Sequence, residues 1–324
     1  MRITALAGGV GGAKLAHGLA QILPPEDLTI IVNTGDDFEH FGLYISPDLD
    51  TVCYTLAGLA NPVTGWGRAD ESWNAMENLK RLGAPDWFNL GDRDLATHLE
   101  RTRRLKEGQT LSQITRDFCA AWGVKHTVLP MSDDPVRTIV ETVEYGELPF
   151  QEYFVKHRCE PRVKGFRFAG VESARPAPGV LEAIQQADAI VICPSNPWVS
   201  IDPILATITS TPHPPFPPVF RKGKGVSIAI SPIIGGKTVK GPAAKMFAEL
   251  GTVPSALAVA GHYAPLLTGF VIDVLDADYA KNLERLGMYV LVAQTLMNSP
   301  QDRRRLAEEV VEFCHQLLTH SRRQ

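Results

Sequence analysis

Ile3-Thr4-Ala5-Leu6-Ala7-Gly8-Gly9-Val10-Gly11-Gly12-Ala13-Lys14 opens the chain, and its reading decides the fold. An uncharged strand-like run passes through four glycines into Leu15, Ala16, Leu19, Ile22 and Leu23, which recur at a helical period. A strand that turns through glycine into a helix is the first unit of a parallel α/β sheet. It lets the backbone approach an anion, with the helix amides aimed at it. The loop is not a Walker A sequence, because Ala13-Lys14-Leu15 stands where Gly-Lys-Ser/Thr is required. Nor is it the dinucleotide fingerprint, since Lys14 takes the place of the third glycine. A tight turn without any ligand would use the same glycines.

Outward from this unit, short apolar runs recur at residues 28 to 33, 189 to 193, 226 to 231, 257 to 260 and 270 to 274. Continuous runs suit strands covered on both faces, and a helical stretch at 242 to 250, closed by Gly251, follows one of them. The expected fold is therefore α/β, a Rossmann-like, doubly wound, mostly parallel sheet in a single domain over residues 1–324. Amphipathic helices between about residues 65 and 125 read as a helical insert or lid, and alternating patches in 136 to 172 as a small antiparallel hairpin. The proline-rich residues 211 to 218 lack the amide protons for helix or central strand and read as a surface loop.

With 324 residues and 44% hydrophobic content the chain has ample material for a core, and its net charge of −4 gives no footprint for nucleic acid or an anionic membrane. Five scattered cysteines without a CxxC pair read as reduced thiols of a cytoplasmic protein. No signal-peptide pattern opens the sequence, and no apolar run reaches the roughly 18–20 residues of a membrane span. A homodimer is the default oligomer.

Two acidic segments follow the second run: Asn33-Thr34-Gly35-Asp36-Asp37 and Ser46-Pro47-Asp48-Leu49-Asp50-Thr51. Both fall at the carboxyl edge of the sheet, where Asp37, Asp48 and Asp50 can bring Mg²⁺, a cation that prefers oxygen ligands, to a phosphate at the glycine turn. A plainer account makes Ser46 an N-cap, Pro47 the first helical residue, and Asp48 and Asp50 partners of the helix dipole. Later strands run into Pro194-Ser195-Asn196-Pro197, a turn that can also hydrogen-bond a base or sugar, and into a second glycine and lysine loop, residues 232 to 242. Two basic loops at strand ends imply a diphosphate. The histidines form no HxH or HxxxH set, which argues against zinc, and Trp66, Trp73 and Trp87 read as lid core or as a stacking surface.

In their joint order these segments, with Leu90-Gly91-Asp92-Arg93-Asp94, Ser231-Pro232-Ile233-Ile234-Gly235-Gly236 and Lys240-Gly241-Pro242, resemble the CofD family over nearly the whole chain. Members are 2-phospho-L-lactate transferases of coenzyme F420 biosynthesis. The resemblance implies Mg²⁺-assisted attack by a ribityl hydroxyl of the deazaflavin Fo on the substituted phosphorus of a guanosine diphosphate donor, lactyl or enolpyruvyl, with release of GMP. It implies that Asp50 and Asp37 are catalytic, that Asp50 and Asn89 contact the deazaflavin, and that Asp37, Asp48 and Asp50 hold metal. Gly9, Gly11, Gly12 and Lys14 would face the diphosphate, and Ser195, Asn196, Lys240 and Gly241 the guanosine. Asn89 departs from archaeal relatives, which are basic there, and Arg221, Lys222 and Lys224 flank a proline-rich run where the family segment is simpler. Two other classes compete: a nucleotide-sugar-binding regulator related to gluconeogenesis factor, and an NAD(P)-dependent oxidoreductase.

Overall fold

In the computed structural model, which describes residues 1–209 and 225–321, all but one of the apolar runs become strands with no exposed face. Seven strands build the central sheet: β1 (Ile3–Ala7), β2 (Leu28–Val32), β3 (Thr127–Pro130), β4 (Ala189–Ile192), β5 (Val226–Ile230), β6 (Gly269–Asp273) and β7 (Tyr289–Ala293). All neighbours are parallel, in the order β7-β6-β5-β4-β1-β2-β3. Ile3 lies opposite Leu28 on one side and Ala189 on the other, so the winding reverses between β1 and β4. Open α/β sheets bind ligands at the carboxyl ends of the strands beside such a reversal.

Side chains alternate between two cores. Ile3, Ala5 and Ala7 pack with helices α1 (Gly9–Ile22) and α2 (Pro47–Leu56) and the C-terminal helix Pro300–Ser321. Leu6 points to the other face, with Ile184, Ile204, Ala256 and Val259. Burial on both sides is why β1 carries no polar alternation.

The insert contains helices α3 (Asn74–Arg81), α4 (Asp92–Lys106) and α5 (Leu111–Ala121), the last opened by a reciprocal Thr110–Gln113 capping box. The antiparallel element is a three-stranded sheet in which Arg137–Thr142 lies between Gly146–Pro149 and Val163–Ala169. One expectation fails: residues 257 to 260 belong to the helix Ala256–Tyr263, not to a strand. Ser255 caps it by accepting from the Ala258 amide, and Ala256, Val259, Ala260 and Tyr263 form a buried stripe at helical spacing. The edge strands β3 and β7 were not expected. The proline-rich residues 211 to 218, with Arg221, Lys222 and Lys224, lie outside the described residues. All five cysteines are free thiols, and no helix among the described residues is long and apolar enough to cross a membrane.

Helix α1 and the C-terminal helix touch where α1 has no side chain: a Cβ on Gly18 would lie 2.1 Å from the Arg303 carbonyl oxygen. Gly18→Ala gains about 1 kcal/mol in helix propensity, but the backbone it meets cannot rotate away, and overpacking costs about 1–3 kcal/mol. A net loss of about 1–2 kcal/mol is expected in the urea unfolding midpoint. A midpoint at or above that of the parent would show that the two helices separate freely.

Candidate active site at the reversal of the sheet

Three segments interlock at the carboxyl ends of β1 and β4 because the chain entering α1 has no side chain at Gly8, Gly11 or Gly12. A Cβ would lie 2.5 Å from Asp48 Oδ2 at Gly8, 2.2 Å from the Pro194 oxygen at Gly11, and 2.5 Å from Ser195 Oγ at Gly12. Packing against α2 and the β4 loop therefore requires these glycines, whatever else they meet. Gly9 holds φ at +60°, in the left-handed region. No side chain caps α1 at Gly8, and its first turn has no acidic residue.

The Ser195 hydroxyl donates to the Gly8 carbonyl (2.8 Å) and accepts from the Gly8 amide (3.1 Å). The Asn196 side chain accepts from the Trp198 amide (3.1 Å). Both side chains expected to face a nucleoside thus brace the loop.

The acidic segments meet beside this turn. Asn33 holds them together: its Nδ2 donates to Asp36 Oδ1 (3.0 Å), Asp48 Oδ2 (2.9 Å) and the Val199 oxygen (3.1 Å). Asp48 also accepts from the Gly9 amide and the Ser200 hydroxyl. Ser46 does begin α2, but its hydroxyl donates to Asp37 Oδ2 (2.9 Å) instead of capping the helix. Asp37 Oδ1 is buried without a partner. Burial pushes Asp37 up to about 7, against the pull of Arg137 and Arg101, and pushes Asp48 up to about 6. Asp36 is raised well above the carboxylate range by burial and by the Asp48 charge. Asp36 was not singled out from the sequence.

Asp50, two residues beyond Asp48 in α2, has a different environment. Arg101 Nη1 donates to Asp50 Oδ2 (3.0 Å) and Arg101 Nη2 to Asp50 Oδ1. Helix α4 turns an unusual polar face inward, burying Thr97, His98, Arg101 and Thr102. His98 Nδ1 lies 3.2 Å from Arg101 Nη1, and His98 Nε2 lies 3.3 Å from Asp94 Oδ1, which accepts from the Tyr54 hydroxyl (2.7 Å). Asp50, Asp94 and His98 are, among the described residues, the group whose ligand atoms crowd within 4.8 Å. The guanidinium of Arg101 already supplies the cation there. Asp94, His98 and Arg101 are spaced i, i+4, i+7, a stripe the sequence displays.

The second basic loop reaches the same rim. Lys240 Nζ donates to the Thr64 oxygen (2.5 Å), and a Cβ on the neighbouring Gly65 would lie 2.7 Å from Val10 Cγ1 and 3.3 Å from Lys240 Nζ. Val10 of the first turn, Gly65 and Lys240 therefore converge, with Gly241 in a left-handed turn behind them. Lys14 donates to the Met297 oxygen (2.7 Å), and its ammonium is lowered by burial and by the Arg303 and Lys240 charges. Asn89 is exposed in the loop before α4. Of the three tryptophans, Trp87 packs with Phe38, His40 and Phe88, while Trp66 and Trp73 are exposed.

Asp37 and Asp48 hold protons in the fold that they release in the unfolded chain, where the carboxyl group titrates near 3.8. The stability this confers is complete below that value and is lost as pH rises through 6 and 7. In protein free of divalent cations, the unfolding free energy is expected to decline across this window, and Asp37→Asn to flatten its upper part. An unchanged slope in that variant would assign the titration to other groups.

Comparison with known proteins shows the family of the chain. A sequence model of the family described as 2-phospho-L-lactate transferase CofD matches residues 3–309. A phosphoenolpyruvate transferase of Streptomyces griseus is 43% identical over 322 residues, covering 98% of this chain and 99% of its own. A 2-phospho-L-lactate transferase of Methanosarcina mazei is 40% identical over 306 residues, covering 94% and 98%. A solved UPF0052 family protein of Bacillus halodurans shares the fold, with a TM-score of 0.61 at 16% identity over 96% of this chain and 98% of its own. The chain thus belongs to the CofD family and is a group-transferring enzyme of the 2-phospho-L-lactate transferase type.

Proposed function

We propose that the enzyme moves a phospholactyl or phosphoenolpyruvyl group from a guanosine diphosphate-linked donor to the ribityl hydroxyl of the deazaflavin Fo, in coenzyme F420 biosynthesis. The hydroxyl oxygen forms a bond to the phosphorus bearing the three-carbon acid, that phosphorus releases GMP, and the hydroxyl gives up its proton. Relatives named for each of the two acids stand at 43% and 40% identity, which supports a donor of this class.

One observation carries the reading: a helix N-terminus with no cap from its own Gly8, two lysine loops and a group of buried carboxylates share one rim. Protein does little covalent chemistry in phosphoryl transfer. It aligns the groups and balances charge as it spreads. The α1 amides with Gly9, Gly11 and Gly12 suit the diphosphate, and Lys14 and Lys240 the charge on the leaving nucleotide. Asp50, held by Arg101, keeps a free lone pair on each oxygen and suits contact with the acceptor hydroxyl.

A divalent cation fits the carboxylates. Asp36, Asp37 and Asp48 are buried and raised, Asp37 Oδ1 has no partner, Arg101 is committed to Asp50, and Arg137 bonds the Tyr44 hydroxyl. Asp48 moreover accepts from the same Gly9 amide that an anion at α1 would use, so two anions meet there and need a cation between them. Asp37 and Asp48 would each lend an oxygen to Mg²⁺, which would neutralise diphosphate charge. Among the described residues the ligand atoms that already lie within 4.8 Å of one another are those of Asp50, Asp94 and His98, so these two aspartates are not a ready-made cage. Asp50, in its ion pair, is left to the acceptor. Free thiols support a cytoplasmic setting, and Val274, Leu275, Tyr289 and Val292, apolar and exposed near the open β7 edge, support a homodimer.

Purified protein incubated with Fo, Mg²⁺ and each guanylated donor is expected to yield the phosphorylated deazaflavin by mass detection. No product with any donor would favour a nucleotide-binding regulator. Asp50→Ala is expected to lower kcat by about 10²–10⁴-fold in a folded protein. Mg²⁺ alone is expected to raise Tm, more at pH 8 than at pH 5, and Asp37→Asn to abolish the rise. A rise that persists in that variant would place the cation elsewhere.

A further inference from the structure

Behind Asp50 lies a buried polar chain that no substrate contact explains. Arg101 is only 2% exposed and is among the largest fully buried side chains of the molecule. It reaches three groups besides Asp50: the Tyr44 oxygen (3.4 Å), His98 Nδ1 (3.2 Å) and, through its field, Asp37. His98 Nε2 lies 3.3 Å from Asp94 Oδ1 without hydrogen-bond geometry, and Asp94 accepts from the Tyr54 hydroxyl of α2. The chain thus leaves α2 at Asp50, crosses to α4 and returns to α2 at Tyr54. A buried ion pair is weak support for stability alone, since apolar residues of similar volume serve as well or better. A bidentate guanidinium does fix the plane of the carboxylate it holds.

We propose that Arg101 is a positioning residue for the transfer: backed by His98 and Asp94, it sets the orientation of the Asp50 carboxylate toward the acceptor hydroxyl. The proposal rests on the role given to Asp50 above. Arg101 touches no substrate and acts through Asp50, whose second lone pairs remain for the acceptor. Lysine retains the charge but cannot reproduce the two parallel bonds.

A double-mutant cycle separates this from a structural role. Asp50→Asn, Arg101→Met and their combination are compared for kcat, for KM toward Fo and toward the donor, and for Tm. If Asp50→Asn keeps parental kcat, the role of Asp50 fails, and that outcome is distinct from failure of the present proposal. With Asp50→Asn impaired, Arg101→Met is expected to lower kcat by about 30-fold or more, with KM for both substrates within about threefold of the parent. The double variant, which removes both members of the Asp50–Arg101 ion pair, is expected to match Asp50→Asn within about threefold. Losses that multiply in the double variant, or parental kcat in folded Arg101→Met, would overturn the proposal. Should Arg101→Met not fold, Arg101→Lys is read in its place: a loss of about tenfold in kcat at unchanged KM supports orientation by the fork, and parental kcat overturns it.

Discussion

Everything at the rim is referenced to one steric condition: the turn after β1 has no side-chain atoms where it meets its neighbours. Gly8 presses on Asp48, Gly11 on the Pro194 carbonyl and Gly12 on the Ser195 hydroxyl. Each glycine costs about 0.5–1 kcal/mol of backbone entropy relative to alanine, which a fold tolerates where close approach is indispensable. The approach seats the N-terminus of α2 against that of α1, so Asp48 and Asp50 enter the crevice at fixed heights. The hydrogen bonds of Ser195 then lock the β4 loop to the turn, and that of Asn33 ties the loop after β2 to Asp48.

The carboxylates gathered there are of two kinds. Asp50 has a permanent counter-ion, and its geometry is complete within the protein. Asp36, Asp37 and Asp48 are buried with only neutral donors in direct contact, and burial, which raises Asp50 as well, works against their ionisation with no bonded guanidinium to oppose it. Neighbouring acids of one segment thereby acquire different chemistry, set by whether a guanidinium from α4 reaches them. The first kind is ready to orient a neutral group. The second kind suits a cation arriving from solution.

The central strands were legible because strands covered on both sides must be continuously apolar, and their alternation with helices announced the parallel sheet. The edges β3 and β7 escaped because neither is covered throughout: β3 starts at the exposed Thr127 and β7 is exposed at Tyr289 and Val292. Residues 257 to 260 misled because hydrophobicity alone does not separate a buried strand from a buried helix. The cap at Ser255 and the alanines were the distinguishing signal. At the site, Asp37, Asp48 and Asp50 were legible from their place at strand and helix ends. Their different surroundings were not, because these depend on Arg101, some fifty residues away in a helix that reads only as part of an insert or lid. Ser195 and Asn196 were legible as loop residues, but which of their bonds stay inside the protein is decided by packing.

The Lys14 ammonium is anchored to an oxygen 283 positions later, and α1 rests its glycine face on the helix that ends the described chain. Synthesis therefore delivers the glycine turn first and its supports last. Emerging β1 can pair with β2 at once, but its other flank stays open until β4 arrives, and α1 lacks its backing until the final helix is made. Such distant partners make for slow assembly with exposed intermediates. A chain shortened at its far end would thus be damaged at its beginning.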